Sequence, residues 1–218
     1  LPKEVSVLEL LKQIEQHKIV PVIKLDSSEN ALPLAEALIH GGLPVAEITF
    51  RTDAAEASIK AIRRKYPEML VGAGTITSRE QAERAQNAGA AFLVSPGFHR
   101  AVTEFAIEQH IPIFPGVCTP TELMMLLEYQ LPVAKFFPAE QYGGLKTIKA
   151  LSAPFSNIRF MPTGGIHAGN ILEYLSFDKI IACGGSWMVK GSLISEHQFD
   201  KITELTKEAV SLVKKEVS

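Results

Sequence analysis

Short apolar runs rich in β-branched residues recur almost evenly along the chain, at 20–25, 45–50, 70–75, 91–95, 111–116, 133–138, 159–164 and 179–184. Each has the length of an ordinary strand, and successive starts leave room for one strand, one helix and two short loops. The intervening segments carry helix signals. Ser28-Glu29 opens a run that ends at Gly41-Gly42, Thr77-Ser78 opens one that ends at Gly89, and Thr119-Pro120-Thr121-Glu122 starts a third with proline in its first turn. Alternation of this kind describes βα units around a parallel sheet.

Eight such units use up the 218 residues, so the spacing predicts one domain over 1–218. The expected architecture is α/β, a compact (β/α)8 TIM barrel with an N-terminal helix before the first strand. Val7, Leu8, Leu11 and Ile14 supply that leading helix, placed to plug one end, and Ile202, Leu205, Ala209, Leu212 and Val213 supply a closing one. An open doubly wound sheet shares the alternation. It is disfavoured by strand number, by even spacing and by Asp26-Ser27-Ser28 where a GxGxxG turn would follow the first strand.

Composition narrows the function. Twenty-two Lys and Arg against 24 Asp and Glu give a net charge of −2, which lacks the basic footprint of a nucleic-acid or anionic-membrane binder. Cys118 and Cys183 have no CxxC spacing, and the six histidines form no HxH or HExxH pattern. Neither a disulfide framework nor a metal site is expected, and a reducing, cytoplasmic setting is. The first residues, Leu1-Pro2-Lys3-Glu4-Val5, read as no secretory signal, and no apolar stretch reaches the roughly 18 residues of a membrane span.

Two strands break the apolar rule. In 45–51 a period of two puts Glu47, Thr49 and Arg51 on one face and Ala46, Ile48 and Phe50 on the other. With the apolar face against helices, a carboxylate, a hydroxyl and a guanidinium point inward, where unpaired charge is costly. In 133–139 Lys135 stands in mid-strand on the face of Val133 and Phe137. Desolvation there disfavours the ammonium and favours the free amine, the form that attacks a carbonyl carbon to make a Schiff base. A Lys135–Glu47 ion pair that merely fills the interior is the bland alternative, although such pairs stabilise poorly compared with apolar residues.

Thr163-Gly164-Gly165-Ile166 and Cys183-Gly184-Gly185-Ser186-Trp187 close the seventh and eighth runs. Paired glycines let backbone N–H groups converge on an anion, and the loops after these two strands are the habitual phosphate site of such barrels. Glycine also serves turns and helix caps. Val71-Gly72-Ala73-Gly74-Thr75 ends the third run, with Thr75 placed to donate to a carboxylate, or its glycines only relieve crowding. Ser95-Pro96-Gly97-Phe98 and Phe114-Pro115-Gly116 read as ordinary turns, and His99, His110 and His167 as isolated loop residues.

Taken together, Glu47-Ile48-Thr49-Phe50-Arg51-Thr52, Val71–Thr75, Ser95-Pro96-Gly97, Lys135-Phe136-Phe137-Pro138-Ala139-Glu140, Pro162-Thr163-Gly164-Gly165-Ile166 and Gly184-Gly185-Ser186-Trp187 resemble the KDPG/KHG (2-keto-3-deoxy-6-phosphogluconate / 4-hydroxy-2-oxoglutarate) aldolase family. The resemblance runs in order from about Val20 to the C-terminal helix. It implies a metal-independent, cofactor-free class I aldolase on a (β/α)8 barrel, usually a homotrimer, acting on a small keto-acid sugar phosphate. By motif, Lys135 corresponds to the Schiff-base lysine, Glu47 to the general acid/base, and Arg51 and Thr75 to ligands of the pyruvate carboxylate. Gly164, Gly165, Gly184, Gly185 and Ser186 correspond to the phosphate site and Thr163 to a determinant of substrate stereochemistry, with Pro96 and Phe137 lining the pocket. Phe50 stands where the family often has Leu, and Met161 where it often has Cys. From the residues alone two rivals stay open: a barrel enzyme using Lys135 and Glu47 as a non-covalent acid–base pair, and a non-catalytic sensor of a phosphorylated metabolite.

Overall fold

The computed structural model describes residues 7–214, in which helices and parallel strands alternate. In order these are α1 (Val7–His17), β1 (Ile19–Ile23), α2 (Ala31–His40), β2 (Val45–Thr49), α3 (Ala54–Lys65), β3 (Leu70–Gly74), α4 (Arg79–Asn87), β4 (Leu93–Val94), α5 (Arg100–Glu108), β5 (Ile113–Phe114) and β6 (Gly116–Val117). There follow α6 (Pro120–Glu128), β7 (Val133–Phe136), α7 (Gly144–Ser152), β8 (Arg159–Pro162), α8 (Ile171–Leu175), β9 (Cys183–Gly185), α9 (Gly191–Ser195) and α10 (Phe199–Lys214). Short 3-10 turns span Ser28–Asn30 and Glu140–Tyr142. No helix among the described residues is long and apolar enough to cross a membrane.

Three helices begin at side-chain caps, whereas the run expected to open at Ser28 starts as a 3-10 turn capped by Ser27, and α2 itself begins at Ala31 with no side-chain cap bond. Ser78 accepts a hydrogen bond from Gln81 N–H at 3.2 Å and starts α4. Thr119 and Glu122 form a reciprocal capping box at the start of α6, with Pro120 in the first turn. His99 caps α5 by accepting from Val102 N–H at 3.3 Å, a structural use for one of the isolated histidines.

The strands do not close into the expected eight-stranded barrel. They form a six-stranded parallel sheet in the order β5-β4-β3-β2-β1-β9 and a separate three-stranded sheet, β6-β7-β8. Proline marks both seams. The run expected at 111–116 is cut at Pro115, whose carbonyl accepts from Lys135 N–H at 2.9 Å but which has no N–H to return. Its first half pairs with β4 and its second with β7. On the other side Phe160 N–H donates to Lys179 O at 2.7 Å, and the next donor on that edge would be Pro162. Among the described residues, the isolated bridges Phe160–Ile180 and Thr163–Gly184 join the sheets there.

The strand faces sort as a period of two requires. Ala46, Ile48, Val71, Ala73, Ala134, Phe136 and Phe160 pack into the core shared with the helices. Val20, Val45, Phe92, Val94, Phe114, Val133 and Met161 pack inward against Leu10, Leu11 and Ile14 of α1. Burying each such aliphatic side chain contributes about 1.5–3 kcal/mol. Of the four residues expected to form the covering face, Leu11 and Ile14 join this inner cluster together with Leu10, whereas Val7 and Leu8 are 44% and 73% exposed. One step further along the inward faces lie Val22, Glu47 and Lys135, and there the chemistry begins.

Candidate active site

Glu47 and Lys135 arrive from different sheets. Glu47 is the middle residue of β2, in register with Val22 of β1 and Gly72 of β3. Lys135 lies in β7 opposite Gly116. Glu47 is 1% and Lys135 4% exposed, and Lys135 Nζ stands 3.6 Å from Glu47 Oε1. Neither carboxylate oxygen has a hydrogen-bond partner among the described residues. A fixed carboxylate left short of donors in the interior costs free energy, and active sites are where such costs are found. The Lys135 ammonium or amine also lies 5.1 Å from the centroid of the Phe137 ring.

Gly74 explains how the carboxylate fits. A Cβ at that position would lie 2.6 Å from Glu47 Cγ and 2.7 Å from Cδ, so only glycine leaves the space. The following residue, Thr75, takes φ 58, the left-handed region that a β-branched residue rarely enters. Backbone strain of this kind, on the order of 1–3 kcal/mol, persists where surrounding structure enforces it. Here Phe50 N–H holds Gly74 O at 2.7 Å and Ile76 N–H donates to Val94 O at 3.1 Å, on either side of Thr75.

Arg51 is oriented by its own strand. The buried Thr49 hydroxyl donates to Ile23 O at 2.9 Å and accepts from Arg51 Nε at 3.1 Å. This leaves the terminal guanidinium nitrogens for a planar anion, which a guanidinium grips in bidentate fashion. At the far side of the site Gly164 and Gly165 take φ 100 and 78, which glycine adopts without penalty. The Trp187 ring lies against Gly185.

All twelve residues singled out from the sequence border one cavity of about 290 Å³: Glu47, Arg51, Thr75, Pro96, Lys135, Phe137, Thr163, Gly164, Gly165, Gly184, Gly185 and Ser186. Val22, Thr49 and Ile166 complete its lining. Thr49 was readable on the inward face, whereas Val22 and Ile166 look like any apolar strand or turn residue. Thr163 Oγ1 is a further buried atom with no partner among the described residues. The cavity thus carries an amine and a carboxylate at its floor, a guanidinium and a hydroxyl on one side, and glycine-rich backbone on the other. A second cavity, about 260 Å³, lies at the starts of β5 and β7 against Val7 and Leu11 and is lined mainly by apolar side chains. No group of three or more His, Cys, Asp or Glu among the described residues is arranged to hold a metal.

A parallel α/β fold carrying a buried lysine beside a carboxylate, with a guanidinium and paired glycines lining the same cavity, has the groups that a class I aldolase uses. Comparison with known proteins agrees: the model of the KDPG and KHG aldolase family matches residues 10–205, and the chain belongs to that family. It is 43% identical over 204 residues to the 2-dehydro-3-deoxy-phosphogluconate aldolase of Treponema pallidum, covering 94% of this chain and 97% of that protein. It is 43% identical over 192 residues to the KHG/KDPG aldolase of Escherichia coli K12, covering 88% and 90%. The crystal structure of KDPG aldolase from Legionella pneumophila, with pyruvate captured as a covalent carbinolamine, superposes with a TM-score of 0.88 at 38% identity, covering 91% of this chain and 96% of that one.

Proposed function

We propose that this chain is a class I aldolase that cleaves 2-keto-3-deoxy-6-phosphogluconate to pyruvate and glyceraldehyde 3-phosphate, and 4-hydroxy-2-oxoglutarate to pyruvate and glyoxylate. The observation that carries the reading is the buried Lys135–Glu47 pair, 3.6 Å apart, at the floor of a cavity that also holds Arg51 and Thr75. Family membership and the covalent pyruvate adduct of the Legionella pneumophila relative support it.

The chemistry follows from the groups present. The free amine of Lys135 adds to the C2 ketone, and the carbinolamine loses water to give an iminium, with Glu47 moving the protons. The iminium draws electrons from the C3–C4 bond as Glu47 takes the C4 hydroxyl proton. That bond breaks, the aldehyde departs, and the enamine left on Lys135 is protonated at C3 and hydrolysed to pyruvate, which frees the amine. Arg51 and Thr75 hold the C1 carboxylate so that C2 sits over Lys135, and the backbone of Gly164, Gly165, Gly184 and Gly185 with Ser186 receives the phosphate. Thr163, between the two ends, reads the configuration at C4. No step calls for a metal or cofactor.

A pyruvate-coupled turnover assay with both substrates tests the reading. Pyruvate release from either supports it; release from neither contradicts it and leaves a non-covalent enzyme or a binding protein. The family resemblance also carries a homotrimer and a cytoplasmic location. Light scattering at the outlet of a sizing column tests the first.

A further inference from the structure

The loop after β8 is tied from behind at three successive carbonyls. Ala139 N–H donates to Thr163 O at 2.8 Å, Glu140 N–H to Gly164 O at 3.2 Å, and Asn170 Nδ2 to Gly165 O at 3.0 Å. Asn170 is itself fixed, its Oδ1 accepting from His167 N–H at 2.8 Å. In a trans peptide the N–H points opposite to the C=O, so drawing back these carbonyls turns the N–H groups of Gly164, Gly165 and Ile166 the other way. All three residues border the cavity, and their N–H groups have no acceptor among the described residues.

A second layer holds the first. The Tyr174 side chain is 2% exposed and packed in the core, and its hydroxyl donates to Glu140 Oε1. The Glu140 stem lies directly behind the loop, where a Cβ on Gly165 would come within 2.7 Å of Glu140 Cβ. Burial, followed by the bond to Glu140, raises the Tyr174 pKa above its ordinary value and keeps it a donor. The tie has an electrostatic consequence too. Glu140 is a carboxylate packed against Gly165 of that loop, yet it is not part of the cavity lining, and the Tyr174 hydroxyl fastens it.

We propose that Tyr174, through Glu140, and Asn170 are positioning residues for the phosphate end of the substrate. They set the direction of the three loop N–H groups and thereby the preference for phosphorylated over unphosphorylated keto acids. This rests on the aldolase reading for its substrate, but the tethers themselves can be tested on inorganic phosphate alone.

The test compares wild type with Tyr174→Phe and Asn170→Ala in three measurements: KM for 2-keto-3-deoxy-6-phosphogluconate, calorimetric affinity for inorganic phosphate, and exchange of pyruvate methyl protons with solvent deuterium. The exchange needs Lys135 and Glu47 but no phosphate. Each variant is expected to raise KM and weaken phosphate binding about three- to tenfold, the factor a lost hydrogen bond supplies, with pyruvate exchange changed less than about twofold. Equal losses in all three measurements, no loss in any, or disappearance of the cooperative thermal transition in both variants would overturn the proposal, since the tethers would then serve the fold or nothing. A wild type that exchanges no pyruvate refutes the aldolase reading instead, and the phosphate affinities still decide the role of the tethers.

Discussion

Lys135 Nζ and Glu47 Oε1 are 3.6 Å apart, within ion-pair reach but too far for a hydrogen bond, and they come from two different sheets. An interior pair built for stability would close that distance and satisfy the remaining carboxylate lone pairs. This one leaves both Glu47 oxygens without donors among the described residues, next to a cavity where a substrate hydroxyl or water can supply them. Removing the carboxylate's basicity should therefore slow every proton transfer while leaving the Lys135 amine able to add to the ketone. Glu47→Gln is expected to lower kcat by about 10²–10⁴, the usual worth of a positioned acid or base, while pyruvate is still trapped on Lys135 by borohydride, only more slowly, because the amine that adds to the ketone is intact. Retention of more than about a tenth of wild-type turnover would contradict the role.

Gly74 makes the same point without touching a reacting group. An alanine methyl there overlaps the Glu47 side chain, so Gly74→Ala should displace the carboxylate and lower kcat at least about tenfold, at a stability cost of about 1–3 kcal/mol from overpacking. Thermal melts and steady-state rates measured together distinguish this from simple unfolding.

Thr49 places Arg51. Thr49→Val keeps the shape but removes the hydroxyl that accepts from Arg51 Nε and donates to Ile23 O. The expected result is a rise of about three- to tenfold in KM for the keto acid with little change in kcat. Thr49→Ser should restore the wild-type value; failure of that rescue would mean the methyl, not the hydroxyl, matters.

Glu122 gives a pH-dependent contribution to stability. Burial opposes its charge, but hydrogen bonds from Cys118 N–H, Thr119 N–H and the Thr119 hydroxyl outweigh burial and hold its pKa below the ordinary carboxylate value. The folded state thus binds this proton less readily than the unfolded one. The added stability is complete above the unfolded value of about 4.3 and is lost as pH falls through the lower folded value. Glu122→Gln should cost about 1 kcal/mol at pH 7 and progressively less below about pH 4, read from denaturant midpoints across that range.

The site was more legible in the sequence than the sheet was. Inward placement of Glu47, Thr49 and Lys135 needs only a period of two and an apolar face for the helices to cover, both written locally. The box at Thr119 and Glu122 is equally local. Closure of the sheet is not: whether Pro115 or Pro162 breaks a ladder depends on which edge its missing N–H faces, and that is fixed by register with strands 20 or more positions away. The leading helix shows the same limit, since Leu8 and Leu10 are both apolar and only packing against Val20, Val133 and Met161 selects Leu10. Tyr174 and Glu140 meet across 34 positions, with nothing in either neighbourhood to announce the partner.

The proposed chemistry turns on one atom, Nζ of Lys135. Treating the protein with pyruvate and borohydride, digesting it and mapping the modified peptide by mass spectrometry tests that atom directly. The expected result is a single reduced pyruvate adduct on Lys135, absent from Lys135→Ala, which also loses turnover. No adduct, an adduct on a different lysine, or a Lys135→Ala protein that keeps most of its activity would contradict it.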